Sequence, residues 1–297
     1  MWRGRGGRVQ MDGTNFFTVT PMSQRLSLEA GKTAEGTITI INPNDSAEDL
    51  NYKAYVAPYG VVGEGYEADL TTDSKYNMIK DWITIENPTG TIEPNKTSEI
   101  KFKVKVPGNA PAGGQYAAII ITRNDDTKAS ENGVAVKDIF EMASLIYADV
   151  AGETVRKGEI LSNEIPGFVA NPPIVLSAQI SNEGNIHENA TIIIKATNFF
   201  TGDVIVEGDT EEHYYSEIIM PETTRYITRE ISEGLPLLGA VKVEQTIYYQ
   251  GNSSTNEKTV IICPIWFLLL VVASIAAIVV AIVMIVRKHK KKAKWAE

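Results

Sequence analysis

A single cysteine, Cys263, is all that the 297 residues provide. An internal disulfide and a cysteine-based metal site are excluded, so external domains must be held by packed cores. Many eukaryotic ectodomains are cross-linked, and the lack of staples tilts the reading towards a bacterial surface. Cys263 opens an apolar run, where a small apolar filler is a better reading than lipidation or pairing with a second copy. Histidine is almost as scarce. His289 sits in a cationic tail, and neither His187 nor His213 is accompanied by a Gly-x-Ser-x-Gly or other nucleophile motif. Hydrolytic triads need a base oriented beside a nucleophile, so no enzyme activity, cofactor or metal is expected. Asn124-Asp-Asp126 lacks the spaced oxygen ligands of a calcium loop and reads as a polar hairpin tip.

Two further absences concern location. Met1–Phe17 has no apolar h-region, although a large external domain needs an export signal, so the natural start is expected to lie further upstream. The bulk of the chain also lacks a positive net charge. The net charge of −9 combines +5 over residues 287–297 and +2 over residues 1–12 with −16 over residues 13–286. An acidic exterior repels phosphate backbones, which argues against nucleic acid as a partner.

What the sequence does have is a charge-free run, Ile261–Val286, closed by Arg287, Lys288, Lys290, Lys291, Lys292 and Lys294. About 20 apolar residues cross a hydrocarbon core as a helix, so residues 261–286 read as a transmembrane helix with the lipid bilayer as partner. Trp266 and the basic block are the expected interface anchors. Basic residues stay cytoplasmic, which puts residues 287–297 inside and the preceding domains outside, in a single-pass cell-membrane topology. The basic tail is expected to lie against anionic lipid.

Residues 14–150 read as strands separated by turn chemistry. Ile100, Phe102, Val104 and Val106 alternate with Lys101, Lys103 and Lys105, the period of a half-buried strand, and Pro107-Gly108 ends it. Tyr116–Thr122 is a continuous apolar run, as expected of a central strand. Residues 151–173, with Gly152, Gly158, Pro166, Gly167, Pro172 and Pro173, read as a connection without long regular structure. Strand candidates then recur at Ile174–Ile180, Thr191–Thr197, Tyr214–Met220, Thr223–Ile231, Val241–Tyr249 and Lys258–Ile262. Many short strands with Gly, Pro and Asn turns argue for antiparallel β-sandwiches. The layout is a basic, unstructured segment 1–13, an outer sandwich 14–150, a membrane-proximal sandwich 151–260, the helix and the tail. Trp82 reads as a core residue rather than a carbohydrate platform.

Several local patterns resemble one family. They are Phe17-Thr-Val-Thr-Pro21, Gly31 leading into a strand that ends Asn42-Pro43, Trp82, Ile92-Glu-Pro94 and Val106-Pro107 followed by Pro111-x-Gly-Gly-x-Tyr116. In the second half they are Ser181-Asn182-Glu-Gly184-Asn185-Ile-His187 and Ile219-Met-Pro221-Glu-Thr-Thr-Arg225. Their order resembles the DUF916-type, WxL-interacting proteins of Gram-positive-type cell surfaces. The resemblance implies tandem immunoglobulin-like domains, peptidoglycan contact by the outer one and capture of a WxL-type surface protein by the inner one. From the residues themselves, Asn182–Asn185 reads as a tight turn using Gly and Asn at positive φ. Asn182, Gly184, Asn185 and His187 are the candidates for a partner-facing turn. The expected function is a non-enzymatic anchored surface protein that binds wall polymer or another surface protein. A spacer subunit of a membrane-anchored surface complex is the alternative, and a wall-modifying enzyme ranks behind both.

Overall fold

The computed structural model describes residues 17–43, 48–63, 65–123, 140–208 and 214–293. Segment 1–13, Asn124-Asp-Asp126, His213 and Lys294 lie outside the described residues. By internal contacts the chain divides into two compact units. The first is Met1–Arg156 with Glu183–His187 and Met220–Glu222, and the second is Lys157–Asn182 with Glu188–Ile219 and Thr223–Glu297.

The first unit contains β1 (Thr18–Thr20), β2 (Ser23–Leu28), β3 (Thr33–Ile41), β4 (Leu50–Pro58), a small hairpin β5 (Gly60–Val62) and β6 (Glu67–Asp69), β7 (Ile83–Ile85), β8 (Thr89–Ile92), β9 (Thr97–Lys105), β10 (Gly113–Arg123) and β11 (Glu141–Val150). Two sheets, ordered β1-β3-β9-β7 and β2-β11-β10-β4-β8, enclose one core. The alternation in β9 fixes its face: Ile100, Phe102 and Val104 are fully buried, and the three lysines point out. Trp82 joins the same core. β10 is buried on both faces, and a 3₁₀ turn, Met78–Asp81, packs on it, with the Ile79 N–H donating to Gln115 Oε1 at 3.3 Å. That is why its apolar run does not alternate. Two glycines make room for aromatics in this core. Gly36 faces Phe102 and Gly90 faces Tyr52 across the ladders, and a Cβ at Gly36 would lie 2.2 Å from the Phe102 ring.

The second unit contains β12 (Gly158–Glu164), β13 (Phe168–Val169), β14 (Ile174–Asn182), β15 (Glu188–Asn198), β16 (Val204–Val206), β17 (Tyr214–Ile219), β18 (Thr223–Ile231), β19 (Gly239–Tyr249) and β20 (Asn252–Ile262), followed by α1 (Ile265–Ala293). Its sheets are β12-β14-β18 and β13-β20-β19-β15-β16, with β17 also on β15. Two features differ from the sequence reading. The presumed connection holds β12, a seven-residue strand bounded by Gly158 and the Pro166-Gly167 break. β20 also starts six residues earlier than its apolar part, because the polar stretch Asn252–Glu257 pairs with β19 residue by residue. Its half-buried residues, Ser254 and Asn256, are bonded to Asn163 of β12, so polar partners stand where an apolar period would otherwise be.

Both units share one topology. The first strand is split between sheets: β1 runs antiparallel to β3 while β2 runs parallel to β11, and β12 runs antiparallel to β14 while β13 runs parallel to β20. Proline has no N–H for a ladder, and Pro21 and Pro166 stand at the two switches. The chain therefore carries two tandem immunoglobulin-like antiparallel sandwiches followed by one apolar helix. In the second, the seam between β12 and β20 is closed by side chains. Asn163 Nδ2 donates to Gln245 O and Ser254 O, and Gln245 Nε2 donates to Asn163 Oδ1 at 2.9 Å.

Within α1, Ile265–Ile285 is long and apolar enough to cross a membrane, and none of it is buried. Its 21 residues rise about 32 Å at 1.5 Å each, matching a hydrocarbon core of about 30 Å. Cys263 is buried at the foot of β20, as expected of an apolar filler.

Candidate interaction surface

The motif residues come together in the first unit, far from one another in sequence. Gly113 has φ +110°, and a Cβ there would lie 2.5 Å from Asn185 O. The absence of a side chain at Gly113 lets the strand approach Asn185, whose carbonyl accepts the Gly114 N–H at 2.8 Å, while the bare Gly114 makes room for the Tyr116 hydroxyl. Asn185 is bonded on every side. Its Nδ2 donates to Ala112 O and Glu153 O, its Oδ1 accepts the Val155 N–H at 2.8 Å, and its own N–H donates to Val155 O. Two residues on, the His187 N–H donates to Tyr116 Oη at 2.9 Å, and the same hydroxyl lies 3.2 Å from His187 Nδ1. A hydroxyl accepting the main-chain N–H still has its own proton to donate and a second lone pair to accept with, so it can partner Nδ1 as well.

Tyr116, Tyr147 and His187 form an aromatic cluster with ring centroids 5.3–5.8 Å apart, and Tyr59 Oη meets Tyr147 Oη at 3.3 Å. Burial pushes His187 below its ordinary pKa, against the opposing pull of Asp149, whose Oδ1 is 3.8 Å from Nδ1. Burial also raises the Tyr116 hydroxyl far above the ordinary phenol range. The cluster holds a neutral histidine and carries no nucleophile.

The partner-facing reading of Asn182, Gly184, Asn185 and His187 meets side chains already engaged within the chain. Asn182 is 1% exposed and donates to Ile219 O, His187 is 7% exposed, and Gly184 is buried. Neither Gly184 nor Asn185 has positive φ; the residues that do include Asn87, Asn95 and Glu222. The turn is shaped by hydrogen bonds from Asn185, which relieves it of left-handed backbone.

Of the expected interface anchors, Trp266 is 63% exposed in the first turn of α1, and Arg287, Lys288, Lys290, Lys291 and Lys292 fall in its last turns. Among the described residues no group of three or more His, Cys, Asp or Glu is placed to hold a metal. A shallow groove of about 410 Å³ runs along Glu35, Thr37, Glu86, Lys101 and Lys103, but Lys103 is paired with Glu86 at 2.7 Å.

Open strand edges offer more. In the sheet β12-β14-β18, β18 has a ladder partner on one side only, among the described residues, over nine residues. Alternate main-chain groups of such a strand point away from the sheet and can bond another strand. Its outward side chains are Thr224, Tyr226, Thr228 and Glu230. Its inward arginines are held from β17: Arg225 Nη2 lies 2.7 Å from Glu217 Oε2, Arg229 pairs with Glu217 Oε1, and the Arg229 guanidinium lies 4.4 Å from the Tyr215 ring centroid. The sequence reading identified this strand but could not show which strands would be edges.

No family model and no curated protein sequence matches the chain. Among solved structures it is similar to a chain of the chaperone–tip adhesin complex of CFA/I fimbriae, at 12% identity and a TM-score of 0.40, covering 82% of this chain and 98% of that one. It is similar to a chain of the Salmonella enterica SafA pilin–SafB chaperone complex at 13% identity and a TM-score of 0.40, covering 84% and 99%. The E. coli chaperone DraB gives 14% identity and a TM-score of 0.38, covering 84% and 97%.

Proposed function

We propose that the protein is a non-enzymatic, membrane-anchored surface protein that captures an extended segment of another protein at the open edge of β18. The supporting observation is a nine-residue strand that, among the described residues, has a ladder partner on one side only, in a chain that also carries an unburied apolar helix of membrane-spanning length. Main-chain bonds to an added strand supply affinity, and the outward side chains supply selectivity. Ile265–Ile285 crosses the cell membrane once, with the basic residues after it on the cytoplasmic side and the sandwiches outside. The resemblance to WxL-interacting proteins makes a WxL-type surface protein the expected partner. It adds peptidoglycan as a second ligand of the first sandwich.

The full chain in proteoliposomes, offered a surface-protein extract and purified wall sacculi in parallel, tests the reading. Retention of a protein is expected, and it is expected to fall when Tyr226→Lys and Thr228→Lys place charge along the edge. Equal retention by this variant would rule out capture at β18, and retention of sacculi alone would turn the reading towards wall binding.

A further inference from the structure

Several exposed apolar residues of the second unit face polar partners across the ladder. Val175 lies opposite Glu230, Tyr226 opposite Gln179, and Tyr248 opposite Thr191 and Ser253. One end of the larger sheet departs from this. Phe168 pairs with Ile261, and Ile261 pairs with Ala240. The Phe199 N–H donates to Ala240 O, extending the β15 to β19 register by one residue. Cross-strand partners share a face, so Phe199, Ala240, Ile261 and Phe168 form an apolar row on the outer face of the last rung. Phe168, Phe199 and Ile261 are each about half exposed.

The loops beside this rung continue the pattern. Phe200, 75% exposed, follows Phe199 in the turn from β15 to β16. Asn198 Oδ1 holds that turn by accepting the Phe200 and Thr201 N–H groups, and the two phenyl rings meet edge to face at 5.4 Å. Leu237, 80% exposed, and Leu238 stand just before β19 in the loop from β18. That loop lies against β16, since a Cβ at Gly234 would be 3.1 Å from Ile205. Turn tips are ordinarily polar, and paired apolar residues in two neighbouring tips mark a surface that something apolar covers.

The chain path says what covers it. β20 ends at Ile262 and α1 starts at Ile265. The ladder to β13 runs through Cys263, whose N–H donates to Val169 O, and the first helical bonds are already accepted by Pro264 O. Four residue steps span at most about 14 Å, so Ile261 of the row lies within that distance of Ile265, the first residue of the apolar helix, and Ala240 and Phe199 follow one and two strand spacings of about 4.8 Å further across the sheet. A bilayer interface is about 5–7 Å thick on each side, and interfacial apolar side chains enter to a depth of about 5–10 Å. Acidic Asp203 and Glu233 border the two loops, which argues for apolar insertion rather than attraction to anionic headgroups.

We infer that this end of the second sandwich is a lipid-contacting collar: Phe199, Phe200, Leu237 and Leu238 insert into the outer interface beside the helix and seat the sandwich directly on the bilayer. The inference rests on α1 as a membrane span. It is tested with the full chain in a Cys263→Ala background, carrying single cysteines in Phe200→Cys, Leu237→Cys, Ser253→Cys or Ile275→Cys. Each variant is labelled with an environment-sensitive fluorophore and reconstituted into phosphatidylcholine vesicles with and without spin-labelled lipid. Residues 200 and 237 are largely exposed, so labels there leave the packing intact.

Emission is expected to blue-shift and to be quenched by the spin-labelled lipid at 200, 237 and 275, and to be unaffected at 253, at the far end of β20. Quenching at 275 with 200 and 237 behaving like 253 would overturn the collar and leave the span standing. A blue shift at 200 and 237 without quenching would mean that protein, such as a second copy, covers the end, and would overturn lipid contact. No quenching at 275 would remove the span and the collar together.

Discussion

Replacing Asn185 with alanine is expected to loosen the segment that joins the two motif regions. The substitution removes three side-chain hydrogen bonds: donations to Ala112 O and Glu153 O, and acceptance from the Val155 N–H. At about 0.5–1.5 kcal/mol each the sum is roughly 1.5–4.5 kcal/mol, and partial solvent access places the expected loss near the lower end, about 2 kcal/mol. A global melt would mix the unfolding of two sandwiches, so the suitable assay is native-state hydrogen exchange. The amide to watch is Gly114, which donates to the Asn185 main-chain carbonyl and so reports docking of the segment without involving the deleted atoms. A loss of 2 kcal/mol accelerates its exchange by about 30-fold. Asn185→Asp keeps the acceptor for Val155 but turns a carboxylate oxygen towards two carbonyl oxygens, so it is expected to be at least as damaging. Unchanged Gly114 protection in both variants would refute the account of Asn185 as the residue that holds this turn.

Three further outcomes follow from individual contacts. Gly36→Ala places a methyl 2.2–2.9 Å from three atoms of the buried Phe102 ring; overpacking costs about 1–3 kcal/mol, more than the strand gains from losing a glycine, so exchange in β3 and β9 should speed up, and Phe102→Leu should remove most of the penalty. Glu217→Ala leaves Arg225 and Arg229, each with 24% of its side chain exposed, facing one another; a loss of about 1.5–3 kcal/mol is expected, read as weaker protection of β17 and β18. The third outcome is acid sensitivity at His187, which faces Asp149, Arg25, Arg156, Tyr116 and Tyr147. Its folded pKa lies below the ordinary 6.5, so the unfolded chain binds the proton first as pH falls. Stability present above pH 6.5 is therefore lost through the window below it. Protection of the His187 amide should fall there, and the fall should shrink when Asn replaces His187.

Legibility in the sequence followed from how local each signal is. The alternation in β9 and the charge-free run depend only on neighbours along the chain, and the strand and an apolar helix stand where they point. The helix starts at Ile265 rather than Ile261, because Ile261 and Ile262 pair with β19, and it runs on through the basic residues to Ala293. The first half of β20 escapes a pattern search because Asn252–Glu257 has no apolar period: its main-chain bonds come from β19, and its half-buried Ser254 and Asn256 are bonded to Asn163. β12 was hidden among glycines and prolines that end the strand rather than prevent it. At the candidate site, Gly113-Gly114 and Asn185-Ile-His187 were noticed separately. Only tertiary structure shows that Gly113 is small so that Asn185 can approach and Gly114 so that the Tyr116 hydroxyl can. Asn182 and Asn185 look like exposed turn residues by type, yet their amides satisfy main-chain groups inside the fold. Phe199-Phe200 and Leu237-Leu238 carried a local signal that could have been read, apolar doublets within turn chemistry.

The most direct test of capture at β18 is hydrogen exchange on the full chain in proteoliposomes, with and without the retained protein partner. Alternate amides between Tyr226 and Ile231, those pointing away from β14, should exchange rapidly in the free protein and become protected in the complex. Protection confined to other segments, with these amides unchanged, would contradict strand addition at this edge.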